Sequence, residues 1–245
     1  MHLVRPLPSK LPCGRPQHGG GDLNVLVIGG GLAAVVAADR FLTHGHDTML
    51  ITAHAEFGFP HGGCGLWDLS DEPWPLDTLE EAVAKEKNGV VACRSQWLVK
   101  RLVHRFAEAG GQVTCRARLE NEPEPLLRGT GAMPLLALDH VVLADQDVPE
   151  PDLHRGITHV LFDEPHTAVW HGRILPPHRD LPATVEASGR RGDGTVEIWT
   201  QHPDLLQPLA EHAIEHLQVA WADDGLPTAD AVASRSKAAV DAFLG

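Results

Sequence analysis

The chain has 245 residues, of which 43% are hydrophobic and 22% are charged, and its formal net charge at pH 7 is −13. This length is sufficient for a full hydrophobic core, and the acidic balance argues against binding to nucleic acids or anionic membranes, which require clustered Lys and Arg. The four cysteines are widely spaced and form no C-x-x-C pair, which disfavours a structural zinc site and a disulfide framework. No apolar run reaches the length of a membrane-spanning helix, and we therefore expect a cytoplasmic protein without nucleic-acid or membrane partners.

Residues 1–21 are rich in Pro and Gly with scattered basic side chains, and we predict that they form a flexible leader. Residues 22–245 are predicted to form one domain, in which strands alternate with helices. The first elements are a buried strand over Leu23–Ile28, an Ala-rich helix over Leu32–Thr43 and a second strand over Asp47–Thr52. A long loop of Gly, Pro and Trp follows, and loops of that length are frequently functional.

The rest of the chain continues the alternation of strands and helices. Helices are predicted over Leu76–Lys87, Ser95–Ala109, Asp204–Trp221 and Thr228–Leu244, with Ser95 as an N-cap. Strands are predicted over Gln112–Leu119, His140–Ala144 and His159–Phe162, and an antiparallel hairpin over Thr184–Thr200. These elements predict an α/β fold with a mostly parallel sheet and a small antiparallel β insertion near 166–201.

A glycine fingerprint, Gly29-x-Gly31-x-x-Ala34, lies between the first strand and the first helix. In such a turn the first glycine permits the tight bend, the second lets the backbone approach a pyrophosphate, and the third small residue lets helix and strand pack closely. The helix N-terminus then offers N–H groups and a partial positive charge to the phosphates. The predicted cofactor-binding residues of this turn are Gly29, Gly30, Gly31, Leu32, Ala33 and Ala34.

The second strand ends in Thr52, where dinucleotide sites normally have an acid that binds the ribose hydroxyls. Thr52 can still form a hydrogen bond, but it cannot chelate two hydroxyls. Glu56, four residues further on, is the other candidate for the ribose. No basic residue lies between Thr52 and Gly58, so a pocket for the 2′-phosphate of NADP is not expected.

Four segments resemble the FAD-dependent oxidoreductases that have the two-domain flavoprotein Rossmann fold. They are VLVIGGGLAAVVAADRFLTHGHDTMLITAHAEFG, CRSQWLVKRLVHRFAEAGGQV, DHVVLADQDVPEP and DDGLPTADAVASRSKAAVDAFLG. The resemblance implies a Rossmann-type FAD/NAD(P)-binding three-layer fold, FAD as cofactor and a position for Arg94 near the FAD. It also implies hydride transfer by the flavin on a small-molecule substrate.

Three positions depart from the pattern of this family. Thr52 replaces the ribose acid, Gln146 stands where a glycine would let the backbone approach the cofactor, and Arg235 replaces a glycine of the terminal helix. The departures leave open an alternative, a flavoprotein-like scaffold or accessory subunit that no longer binds FAD and acts with a partner subunit. An NAD-linked reductase is a third possibility.

The loop from Phe57 to Asp68 contains the candidate catalytic residues. Cys64 could be a redox thiol and His61 a proton donor beside the cofactor. The segment Pro60–Cys64 also resembles the P-x-x-x-C motif of the geranylgeranyl-reductase branch. The alternative is a glycine turn that contains a buried, inert cysteine.

The segment HAIEH, His212–His216, matches the H-x-x-E-H pattern of zinc peptidases. On a helix both histidines would share a face, but a third ligand would still be needed. Because the segment also reads as an amphipathic helix with these histidines on its surface, we predict no metal site.

Overall fold

A computed structural model of the chain describes residues 23–59, 63–76, 84–85, 90–121, 125–129, 138–144, 158–161, 168–177, 185–221 and 225–245. The predicted leader therefore lies outside the described residues. Among the helices of the described part, none is long and apolar enough to cross a membrane.

The described residues form fourteen strands, three α-helices and a 3₁₀ helix. The strands are β1 (Asn24–Ile28), β2 (Asp47–Thr52), β3 (Leu66–Asp68), β4 (Ala84–Lys85), β5 (Val90–Ala92), β6 (Gln112–Cys115), β7 (Arg118–Asn121), β8 (Pro125–Arg128), β9 (His140–Leu143), β10 (Thr158–Val160), β11 (Ala168–Leu175), β12 (Ala187–Arg190), β13 (Val196–Thr200) and β14 (Glu215–Trp221). The helices are α1 (Leu32–Thr43), α2 (Ser95–Glu108) and α3 (Ala229–Leu244), and the 3₁₀ helix is Pro203–His212.

A five-stranded parallel sheet forms the centre of the fold, in the order β10-β9-β1-β2-β6. Strand β1 lies between its two neighbours, with Val27 opposite Leu50 of β2 and Val142 of β9. The chain builds the sheet outward from β1 in both directions, so the strand order reverses there. In open α/β sheets, ligands bind at such a switch point, beyond the carboxyl ends of the strands.

The two faces of the parallel sheet are covered by different elements, which makes three layers. Val25 and Val27 of β1 belong to a buried cluster that includes residues of all three helices. On the opposite face, Leu26 and its neighbours pack against Ala117 and Leu119, next to and within β7. Both faces are therefore buried, as the continuous apolar sequence of β1 predicts.

The first and last helices pack against each other. Ser236 of α3 is fully buried and donates a hydrogen bond to the carbonyl of Ala33, with a distance of 2.7 Å. Near the other end, the Arg40 guanidinium binds the Asp241 carboxylate at 2.7 and 2.8 Å. Helix α3 begins after Thr228, whose hydroxyl accepts a hydrogen bond from the backbone of Ala231.

A second, antiparallel sheet has the order β12-β13-β11-β14. The predicted hairpin is present as β12 and β13, but the sheet is larger than the hairpin. Gly172 of β11 lies under the ring of Trp199, where a Cβ atom would approach the ring to 2.9 Å. Close packing of this indole therefore requires glycine at that position.

The predicted helix over Asp204–Trp221 is wrong. A 3₁₀ helix that contains Pro208 ends at His212, and β14 follows. Strand β14 pairs along its whole length with β11, so its alternate side chains face the core. This pairing, and not the helical periodicity of the apolar residues, determines the structure of the segment. His212 and His216 thus lie on different elements, and no group of ligands that could hold a metal occurs among the described residues.

Three smaller differences concern element boundaries. Within the predicted helix Leu76–Lys87, residues 84–85 form a strand that pairs with β5, and 77–83 and 86–87 lie outside the described residues. The predicted strand Gln112–Leu119 is interrupted at Arg116, which has φ +54°. Arg94 rather than Ser95 occupies the N-cap position of α2.

Candidate nucleotide site at the end of the first strand

The glycine turn leads directly from the central strand into α1. The Gly29 N–H donates to the Ile51 carbonyl at 2.9 Å, which extends the pairing with β2 by one residue. Gly31 is the N-cap residue of α1, with extended backbone and no side-chain cap. The first N–H groups of a helix have no partner within the helix, and Leu32 and Ala33, at the start of α1, are half-buried at the surface. The turn is therefore suited to bind an anion such as a phosphate.

Gly30 is held between the end of β2 and the turn that follows it. Its carbonyl accepts a hydrogen bond of 2.7 Å from the Gly58 N–H. A Cβ atom at Gly30 would lie 2.9 Å from the Thr52 hydroxyl oxygen. The middle glycine is therefore required by contact with β2, a reason that the fingerprint spacing alone did not supply.

The structure places Thr52 and Glu56 in different surroundings. Thr52 is only 2% exposed, and its hydroxyl accepts a hydrogen bond of 3.3 Å from the His54 N–H. The Glu56 carboxylate is about half exposed and forms an ion pair of 2.8 Å with the Lys100 ammonium of α2. Thr52 thus supports the turn from beneath, while Glu56 is at the surface.

Arg94 connects α2 with the antiparallel sheet. Its guanidinium lies 3.5 Å from the Asp193 carboxylate and 3.7 Å from the Glu215 carboxylate, and the side chain is 47% exposed. These contacts hold Arg94 beside two acids of the sheet. Its predicted position near a cofactor stays a prediction.

Of the two predicted catalytic residues, His61 lies outside the described residues and Cys64 is buried. The Cys64 side chain is 4% exposed, and burial raises its pKa well above the usual value, with a further contribution from the Glu197 carboxylate. Burial likewise raises the pKa of Cys93 to about 12. At neutral pH both groups are thiols and not thiolates, which is unfavourable for nucleophilic chemistry.

Sequence reasoning missed a buried carboxylate, Glu197 of β13, that lies beneath the Cys64 loop. It accepts hydrogen bonds from the Gly65 N–H at 2.7 Å and the Trp199 indole at 2.6 Å. Its other oxygen binds the Arg191 guanidinium at 3.0 and 2.8 Å, and both side chains of this pair are almost fully buried. The sequence did contain one sign of this network. Glu197 is an acid among the apolar residues of a strand, and it follows Arg191 by six residues.

Helix α3, which contains the departure Arg235, has local structural partners for two of its charged side chains. The Arg235 guanidinium of α3 stacks over the Trp221 ring at 5.0 Å from its centre. Asp230, at the start of α3, accepts a hydrogen bond of 2.8 Å from the Asp68 N–H, and burial raises its pKa. Gln146 lies outside the described residues.

No protein-family model and no curated protein matches the sequence. Several solved structures do resemble the fold. A geranylgeranyl bacteriochlorophyll reductase-like protein from Thermoplasma acidophilum has a TM-score of 0.57 at 15% identity, over 91% of this chain and 80% of that one. The chain shares its fold.

Two further structures give the same result. The tetrameric 2-methyl-3-hydroxypyridine-5-carboxylic acid oxygenase has a TM-score of 0.55 at 15% identity, over 90% of this chain and 81% of that one. A myxobacterial chondrochloren halogenase, a variant of the FAD-dependent halogenases, has a TM-score of 0.52 at 12% identity, over 92% and 76% of the two chains. The predicted α/β fold with a mostly parallel, Rossmann-type sheet is confirmed.

Proposed function

We propose that the chain binds FAD at the turn between β1 and α1 and acts as a flavin-dependent oxidoreductase on a small substrate. The observation that carries this proposal is the start of α1. The helix begins without a side-chain cap at the carboxyl end of the central strand, where the strand order reverses. The similar folds of a reductase-like protein, an oxygenase and an FAD-dependent halogenase support it.

The described residues fit the pyrophosphate of FAD better than its adenosine ribose. The N–H groups of Leu32 and Ala33 at the start of α1 would hold the pyrophosphate, and Gly29 to Gly31 would let it approach the backbone closely. Thr52 does not fit the role of a ribose acid, because its buried hydroxyl is directed at Gly30. FAD, when bound, supplies hydride transfer, and the protein contributes binding and orientation.

A cofactor-free scaffold or accessory subunit is the second candidate. The burial of Thr52 favours it, as does the stacking of Arg235 on Trp221, because both departures are built into the packing of the fold. Such a protein would keep the sheet and the glycine turn as structure and act through a partner subunit.

The visible absorption spectrum of the purified protein, recorded before and after addition of excess FAD, tests the two candidates. Under the first, the two bands of oxidised flavin co-elute with the protein. The variant Ala33→Asp should then lose flavin, because a carboxylate would compete with the phosphates at the helix N-terminus, while it leaves the helix stable. Ala107→Asp, which adds the same charge to an exposed position of α2, should retain flavin. A colourless protein that takes up no FAD would contradict the first candidate and support the second.

A further inference from the structure

A cavity lies among the three helices, away from the glycine turn. Its volume is about 310 Å³. The residues that define this helix-layer cavity include Val35, Val36, Leu102, Ala233, Trp67 and Trp74. The proposed nucleotide site does not use it, since none of the glycines of the turn contributes to its lining.

The outer wall of the helix-layer cavity is anchored to the helices. The Trp67 indole donates a hydrogen bond of 2.8 Å to the carbonyl of Glu72. The Glu72 carboxylate in turn binds the Lys237 ammonium of α3 at 2.7 Å. On the other side, the Arg105 guanidinium of α2 donates to the carbonyl of Pro75. The segment after β3 is thus tied to two helices, and the cavity is a fixed part of the fold.

The charged groups of the cavity wall are already paired. The Asp39 carboxylate lies 3.1 Å from the Arg105 guanidinium, and Lys237 is paired with Glu72. A charged ligand would lose its hydration without gaining an unpaired counter-charge. The cavity therefore favours a neutral ligand.

One residue of the cavity wall, Trp74, carries a polar atom without a partner. Its Nε1 atom is buried and makes no hydrogen bond to the described part of the chain. The Trp74 ring meets Trp67 edge to face, with ring centres 5.5 Å apart and an angle of 78° between the planes, which fixes its orientation. A buried donor without an acceptor is unfavourable, and a bound acceptor atom would remove that cost.

We propose that the helix-layer cavity is a binding site for a small, neutral carbonyl compound. The apolar part of the ligand would pack against Val36 and Leu102, and its carbonyl oxygen would accept a hydrogen bond from the Trp74 indole. The volume limits the ligand to a small molecule, the paired charges favour a neutral one, and the unpartnered indole donor calls for an acceptor such as a carbonyl oxygen. The proposal is independent of FAD binding.

The test uses two probes of nearly equal shape, acetophenone and ethylbenzene, of which only the first carries an acceptor. Each is titrated into the full-length protein labelled with ¹⁵N, and the indole N–H resonances of the six tryptophans are followed. Loss of one peak in Trp74→Phe assigns the Trp74 resonance. We expect acetophenone to shift this resonance downfield and to bind more tightly than ethylbenzene. Equal affinity for the two probes, or an unmoved Trp74 resonance at saturation, would overturn the proposal.

The variant Trp74→Phe keeps an aromatic ring but removes the donor. We expect it to weaken the binding of acetophenone about fivefold and to leave that of ethylbenzene unchanged. Trp97→Phe is the matched control, because Trp97 lies on α2 outside the cavity lining, beneath the Arg101 guanidinium. An equal loss in both variants, or none in Trp74→Phe, would contradict the assignment of the donor.

Discussion

Replacing Glu197 by Gln should strongly destabilise the protein, although the two side chains have nearly the same shape. One carboxylate oxygen accepts from Gly65 and Trp199, and the other accepts twice from Arg191. A glutamine keeps one acceptor oxygen but replaces the other with an NH₂ group. The N–H groups of that amide would face the N–H donors that the carboxylate oxygen had bound. At least two of the four hydrogen bonds are therefore lost.

The charge adds a second penalty. Arg191 is 3% exposed, so its guanidinium would remain buried without the carboxylate that binds it directly. Removal of one partner from a buried ion pair costs about 3–5 kcal/mol, whereas the whole free energy of unfolding of a domain is about 5–15 kcal/mol. The variant should thus lose a large part of the stability of the protein.

Urea unfolding at pH 7, followed by tryptophan fluorescence, measures the loss. Glu56→Gln is the matched control, since it breaks an exposed pair with Lys100 and should cost less than about 1 kcal/mol. Adding Arg191→Met to Glu197→Gln removes the unpaired charge and should restore part of the stability, because the amide oxygen can still serve Gly65 and Trp199. A cost for Glu197→Gln as small as that of the control would refute the reasoning.

Three further predictions concern the turn, the thiols and a buried acid. Gly30→Ala should cost about 1–3 kcal/mol in urea unfolding, because the new Cβ meets the Thr52 hydroxyl at 2.9 Å, and Thr52→Ala should restore part of it. In the native protein at pH 8, iodoacetamide should modify the half-buried Cys115 before the buried Cys64, as peptide mass analysis would show. Burial raises the pKa of Asp230, so its charged form opposes folding. Asp230→Asn should therefore gain stability relative to the wild type at pH 7; the gain should shrink as the pH falls through the raised folded-state pKa and should be gone below the unfolded-state pKa.

Each of these predictions has a contrary outcome. Gly45 has φ +91° and open space around it, so Thr52→Ala should not rescue Gly45→Ala, and an equal rescue would show that the contact at Gly30 is not the cause. Modification of native Cys64 as fast as in urea would contradict its burial. A stability difference for Asp230→Asn that does not vary with pH would contradict the raised pKa.

The part of the fold that local sequence determines was predicted well. The bounds of α1 and β2 agree to the residue, because a buried apolar run, a glycine turn and an Ala-rich helix each specify their own conformation. The segment after Pro203 was not predicted, because pairing with β11 decides its structure. No local pattern contains that information.

The candidate site likewise has a part that the sequence predicts and a part that it does not. The glycine turn follows from spacing, since each small residue has its own steric reason. The Glu197 network does not, because it joins Gly65 to a strand 132 residues further along the chain. Contacts of that separation appear only once the two sheets are in place.

Thr52 and Glu56 differ in what it would cost to use them for a ribose. To turn outward, the Thr52 hydroxyl would have to leave the His54 N–H and its place beneath Gly30, in a position that is 2% exposed. The Glu56 carboxylate would only have to leave Lys100, and an exposed pair of this kind is worth less than about 1 kcal/mol. Under the proposed function, the adenosine ribose is therefore recognised by Glu56 or by backbone groups and not by Thr52. In a protein that binds FAD as proposed, the ribose contact would then lie on the loop after β2 and not on the strand, and the phosphate contacts at the start of α1 would be unaffected.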